Sequence, residues 1–173
     1  MAIPGSDARS AVEAFPALWR RVMTDPHGFF AEMPETGGLG QPGAFLAICA
    51  GINALGHLLV GWGVRGALVL FVGQLIAATL AATVFVLVAQ HFFGGRAGFE
   101  ATFRVVAYAA APLVAFWIPF VGAIAWLYDA YLLMRGLERV HALDVTRTLL
   151  TLGIGILVLW LLRDALSGRP VWP

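Results

Sequence analysis

An all-α integral membrane bundle of five transmembrane helices, preceded by a short amphipathic N-terminal segment, is the fold this sequence predicts. Three observations carry that reading. The chain is 60% hydrophobic and 12% charged, with a mean hydropathy of +0.84, whereas a soluble domain is roughly half apolar and about a quarter charged. Its apolar residues are gathered into long runs. The longest, residues 105–134, carries the prolines Pro112 and Pro119 and a single formal charge, Asp129. Finally, the arginines fall unevenly about those runs.

Residues 1–42 read as a cytoplasmic or interfacial segment. Ser10 and Glu13 have the S-x-x-E spacing of a capping box. Val12, Phe15, Trp19 and Val22 then recur at helical spacing, with Arg9, Glu13, Arg20 and Arg21 as polar members. Pro16 is expected to kink this helix or to start it anew. Asp25-Pro26 precedes a second cluster, Phe29, Phe30 and Met33. One or two short helices lying in the headgroup layer are therefore expected, followed by a glycine-rich linker over 34–42. The opening residues lack a basic start followed by an apolar stretch, so no cleavable signal peptide is expected.

The membrane domain is expected over 43–166, with 167–173 as a short tail. Its first span, 43–64, covers about 33 Å at 1.5 Å per residue, enough to cross the hydrocarbon. Trp62 provides an interfacial aromatic and Arg65-Gly66 a short loop. The second span runs over 67–93 and stops at the glycine-rich 94–98. The run 105–134 is too long for one crossing, and its flanks allow two. Phe99 and Phe103, and likewise Glu100 and Arg104, lie four apart, the latter as an exposed helical ion pair. Spans at 99–117 and 120–137 are predicted, turning through 118–122, and a last one at 149–162 extends at both ends.

Positive-inside counting supports five spans. Arg9, Arg20, Arg21, Arg96, Arg104, Arg135, Arg139 and Arg147 then share one side, against Arg65, Arg163 and Arg169 on the other. The split is eight to three with the N-terminus cytoplasmic, against seven to four for four spans. A multi-pass protein of the bacterial inner membrane is expected.

Composition removes several functions. A net charge of +1 gives no electrostatic basis for nucleic-acid binding. The lone Cys49 excludes an internal disulfide and a cysteine-based zinc site, and the histidines lack metal-ligand spacing. Ser6, Ser10 and Ser167 are terminal, so no serine nucleophile lies at membrane depth. No H-E-x-x-H and no phosphate-cradling glycine loop is present. The expectation is a protein that is not an enzyme and takes neither cofactor nor metal.

What remains is a polar set inside the spans: Asn53, His57, Gln74, Tyr108 and Asp129. Asn53 and His57 share a helix face, and His57 with Asp129 is the pair to look for. Such groups either hold helices together, at about 0.6–2 kcal/mol per bond, or line a pathway. Two functions follow. The leading one is a membrane organiser acting through helix contacts with itself or another membrane protein, supported by Ala77/Ala81, Ala78/Ala82 and Ala107/Ala111 at four-residue spacing. The alternative is a small transporter or channel subunit. Arg139 and His141 fall in a cytoplasmic loop where each arginine gains about 1 kcal/mol near anionic lipid.

Four blocks carry a family resemblance. They are Asp25-Pro26-His27-Gly28-Phe29-Phe30, the glycine-rich 94–99 leading into Thr102-Phe103-Arg104-Val105, Ala107-Tyr108-Ala109-Ala110-Ala111-Pro112, and Gly136-Leu137-Glu138-Arg139-Val140-His141-Ala142-Leu143. Through them the chain resembles a bacterial member of the Yip (Ypt/Rab-interacting protein) domain family. The resemblance marks Pro26, Phe29, Phe30, Tyr108, Pro112, Gly136 and His141 as motif positions. It implies five spans, a cytoplasmic N-terminus and no catalytic residue. The Asp-Leu-Tyr-Gly-Pro block of relatives linked to Rab-type GTPases is absent, so it does not extend to GTPase binding.

Overall fold

The computed structural model describes residues 8–166, side chains from residue 11; Ser6, Ser167, Arg169 and the tail 167–173 lie outside the described residues. Every regular element described is helical: α1 (Ala8–Thr24), α2 (Pro26–Glu32), α3 (Gly40–Leu59), α4 (Gly63–Phe93), α5 (Phe99–Ala109), a 3₁₀ helix (Ala111–Ala115), α6 (Val121–His141) and α7 (Val145–Leu166). Among them α3, α4 and α7 are long and apolar enough to cross a membrane. Their outward residues, such as Leu59, Val69, Ile76, Leu157 and Trp160, are exposed, as a lipid-facing surface requires.

Several expected boundaries move, each for a local reason. Helix α1 already includes Ala8, so Ser10 lies within it and is not its cap, and the helix runs through Pro16 unbroken. The first turn falls at 60–62, and Arg65 and Gly66 belong to α4. The predicted helix over 99–117 stops at Ala109. Pro112 lacks the N–H that would bond the carbonyl one turn back, and the chain tightens into the 3₁₀ helix. The expected turn around Pro119 is present, with Phe120 at φ 63° just before α6. Helix α6 is long enough to span, but Arg135, Glu138 and Arg139 make its last turns polar.

Other signals held. Asp25 caps α2 by accepting the Gly28 N–H at 3.0 Å, with Pro26 opening the helix. Gly94, at φ 69°, closes α4 in the left-handed conformation.

Packing centres on α5 and the 3₁₀ helix, whose residues 101–113 are all buried. Close approach there depends on missing side chains. A β-carbon at Gly136 of α6 would lie 2.4 Å from Val105 of α5 and 3.0 Å from Phe30 of α2. One at Gly56 of α3 would strike Trp117, and one at Gly155 of α7 would strike Phe85 of α4.

The N-terminal helices are fastened to this centre. Trp19 of α1 donates its indole N–H to the Ala111 carbonyl at 2.9 Å. The Tyr128 hydroxyl of α6 donates to the Met23 carbonyl at 2.8 Å. The Phe15 ring meets Phe45 of α3 at 5.2 Å. Broken backbone in apolar surroundings needs such partners, because an unmet group costs several kcal/mol. Trp19→Phe keeps most of the packing but removes the donor, and is expected to destabilise by about 1–3 kcal/mol. Thermal unfolding in lipid measures this. A Trp19→Phe protein that melts like wild type would show that Ala111 finds water instead.

Candidate functional site

The intramembrane polar set does not assemble into one site. Asn53 is 1% exposed, and its Oδ1 has no hydrogen-bond partner. His57, half-buried, places Nδ1 3.0 Å from the Asn53 carbonyl of its own helix and stacks edge-on with Trp62 at 4.6 Å. Gln74 is half-buried in α4 with Oε1 unpartnered. The Tyr108 ring lies between Phe29 at 5.0 Å and Phe45 at 5.2 Å. Asp129 is half-buried and makes no hydrogen bond or ion pair among the described residues. The bond sought between His57 and Asp129 is therefore not formed.

The motif positions, in contrast, converge. Phe29 and Phe30 of α2 are buried and meet edge to face at 5.3 Å. Phe29 rests on Tyr108, and Phe30 on the bare backbone of Gly136. Pro26 starts α2, and Pro112 makes the break beside Ala111. Residues separated by more than a hundred positions thus form one junction of α2, α5 and α6. Its wall is aromatic and its seams are glycine.

Two polar clamps border this junction, and sequence reasoning missed both. Arg104 is 3% exposed, where an exposed ion pair was expected. One guanidinium nitrogen donates to the Gly38 carbonyl at 2.7 Å and to Glu100 at 3.3 Å. Glu100 in turn accepts the Gly38 N–H at 2.6 Å. One linker residue, Gly38, is thus held through both its N–H and its carbonyl, and Gly37 and Gly38 take φ values of 122° and 86° that favour glycine there. The pairs of small linker glycines and i,i+4 charges were visible, but nothing local joins positions 38 and 104.

The second clamp is His141, expected in a loop but found as the last residue of α6 and 1% exposed. The Thr102 hydroxyl donates to the Gly98 carbonyl at 3.0 Å and lies equally close, 3.0 Å, to His141 Nε2. Nδ1 is buried and has no hydrogen-bond partner among the described residues. A β-carbon at Gly95 would approach it to 2.6 Å. Nearby, Gln90 donates to the Ala97 carbonyl at 2.9 Å. The ends of α4, α5 and α6 are thereby tied together. Burial lowers the His141 pKa to about 4, against a smaller opposing effect of Glu35.

A family model, the Yip1 domain, matches residues 20–162. No curated protein and no solved structure matches the chain. The match begins within α1 and ends within α7, so it contains the junction and both clamps.

Two outcomes are expected. Gly136→Val forces a branched side chain against Val105 and Phe30, and overpacking of this kind costs about 1–3 kcal/mol; melting of Gly136→Val beside Gly136→Val/Val105→Ala, which reopens space, reads it. For His141 the folded pKa lies below the ordinary value near 6.5. Its contribution to stability is full above about pH 6.5 and is lost as pH falls toward 4. The melting temperature of wild type should fall relative to His141→Gln between pH 7 and 5. Parallel curves would show that His141 titrates alike in folded and unfolded chains.

Proposed function

This chain belongs to the Yip1 domain family, and from that membership we propose a non-enzymatic organiser of membrane assemblies that acts through helix–helix contacts. It crosses the bacterial inner membrane five times with its N-terminus in the cytoplasm, and needs no cofactor. The observation that carries the contact reading is the outer face of α4. Ala78 and Ala82, and Ala107 and Ala111, are buried and close the bundle itself. Gly73 and Ala77 remain, four residues apart and exposed between Val69, Ile76 and Leu80. Small residues at that spacing let a second helix approach closely. A second copy or another membrane protein is the partner.

Five crossings are supported by the position of the second turn. Trp117 lies against Gly56, close to the end of α3 at Leu59. The Phe120 turn therefore reaches the same end of the bundle as the turn between α3 and α4. Phe120 is 89% exposed, followed by exposed Ile124, Trp126 and Leu127, which suits lipid and its boundary. A transport reading needs the polar groups on one path. His57 is engaged with its own helix and Tyr108 lies between two rings, so the organiser is preferred.

Cysteine chemistry tests both parts, because the native Cys49 is buried. Phe120→Cys should react with an impermeant maleimide added from the periplasmic side; labelling only after the cytoplasmic face is opened would replace five crossings with three. Gly73→Cys and Ala77→Cys should crosslink in native membranes, to a second copy or to a partner, while Leu157→Cys on α7 should not. Equal or absent crosslinking at all three positions would reject the α4 face.

A further inference from the structure

Between α2 and the polar end of α6 lies an open groove of about 250 Å³, lined by Pro26, His27, Phe30, Arg135, Glu138 and Arg139 among others. Its two sides differ in chemistry. Pro26 and Phe30 give it an apolar floor, while α6 contributes two guanidinium groups one turn apart with a carboxylate between them.

Neither guanidinium is saturated by strong acceptors. Arg135 donates to Glu138 at 2.7 Å, and its other terminal nitrogen to His27 Nδ1 at 2.6 Å. The second acceptor is an uncharged lone pair, which a phosphate oxygen outbids as a charge-assisted acceptor. Arg139 reaches the Glu35 carboxylate at 3.2 Å and the Ala31 carbonyl at 3.4 Å, with its side chain 47% exposed. These are long contacts of a mobile-length side chain at the groove's edge. A planar guanidinium fork matches phosphate oxygens bidentately.

The surroundings decide what carries that phosphate. The groove sits where α6 passes from apolar turns to charged ones, beside the short α2 whose buried face is Phe29 and Phe30. In the membrane reading proposed above, on which this inference rests, that level is the cytoplasmic headgroup layer. An apolar floor next to a phosphate-binding wall suits a lipid and is of no use to a free anion. Charge decides between lipids. Glu138 in the wall and Glu35 at its edge balance Arg135 and Arg139, so the groove has no excess positive charge with which to select an anionic headgroup.

We propose that this groove binds a zwitterionic phospholipid headgroup, a phosphate joined to a primary ammonium. Arg135 and Arg139 take the phosphate, Glu138 takes the ammonium, and the glycerol end lies over Phe30 and Pro26. His27 gives up Arg135 as the phosphate enters.

The test uses the full-length protein, delipidated in a neutral maltoside detergent and titrated with dioleoyl-phosphatidylethanolamine, dioleoyl-phosphatidylglycerol or inorganic phosphate. Phosphatidylethanolamine should raise the melting temperature saturably and more than phosphatidylglycerol does. Arg139→Gln, at an exposed position, should fold normally and weaken the apparent affinity about tenfold, a change of about 1.4 kcal/mol. Glu138→Gln should retain lipid binding but lose the preference for phosphatidylethanolamine. The proposal is overturned if phosphatidylglycerol stabilises as well or better. It is equally overturned if inorganic phosphate alone reproduces the effect, or if Arg139→Gln keeps wild-type affinity. Binding in detergent does not depend on the number of crossings, so a failure here is separate from a failure of the Phe120 labelling.

Discussion

A broken helix in an apolar setting is the constraint on which the remaining structure depends. Pro112 ends α5 and forces a 3₁₀ turn, leaving backbone groups that lipid cannot satisfy. The protein answers by surrounding the break with its own elements. Helices α3 and α6 flank it, and α1 brings an indole N–H to the Ala111 carbonyl. A segment that would be a weak crossing alone becomes the most buried part of the chain. The long outer helices α4 and α7 are then free to present apolar side chains outward.

Close approach is the means by which this enclosure is built. Gly136, Gly56 and Gly155 each remove a side chain where a Val, Trp or Phe must enter. The result is close packing of α6 on α5, of α3 on Trp117 and of α7 on α4. The polar clamps act on a different part of the problem. Arg104 with Glu100 fixes the linker at Gly38, and His141 with Thr102 fixes the corner between α5 and α6. Both lie at the end of the bundle where the chain carries most of its arginines, and both hold connections rather than cores.

How much of this was legible in the sequence follows from the range of the interactions. The all-helical fold, the turn around Pro119 and the Gly94 stop are set by residues within a few positions of one another, and pattern reading found them. The motif residues Phe29, Phe30, Tyr108 and Gly136 were also found, through their resemblance to a family, although not the junction they form. What was missed is long-range. Arg104 looked like half of an exposed pair because its neighbour Glu100 is four residues away, while Gly38 is 66 away. His141 followed three charged residues and read as loop. His57 and Asp129 were paired by chemistry alone, and helical geometry gave His57 a nearer acceptor in its own backbone.

The bond from Trp19 to Ala111 spans 92 positions, and that separation has a consequence for biogenesis. During synthesis α1 emerges well before its acceptor, which is made only after two long apolar helices have followed. For that interval the Trp19 indole N–H lacks its protein acceptor, although Phe15 can already meet Phe45 of α3. Helix α1 is therefore made early and bonded to the break only after α3, α4 and α5 are in place. Any ribosomal pause before residue 111 prolongs the state in which Trp19 waits for its acceptor.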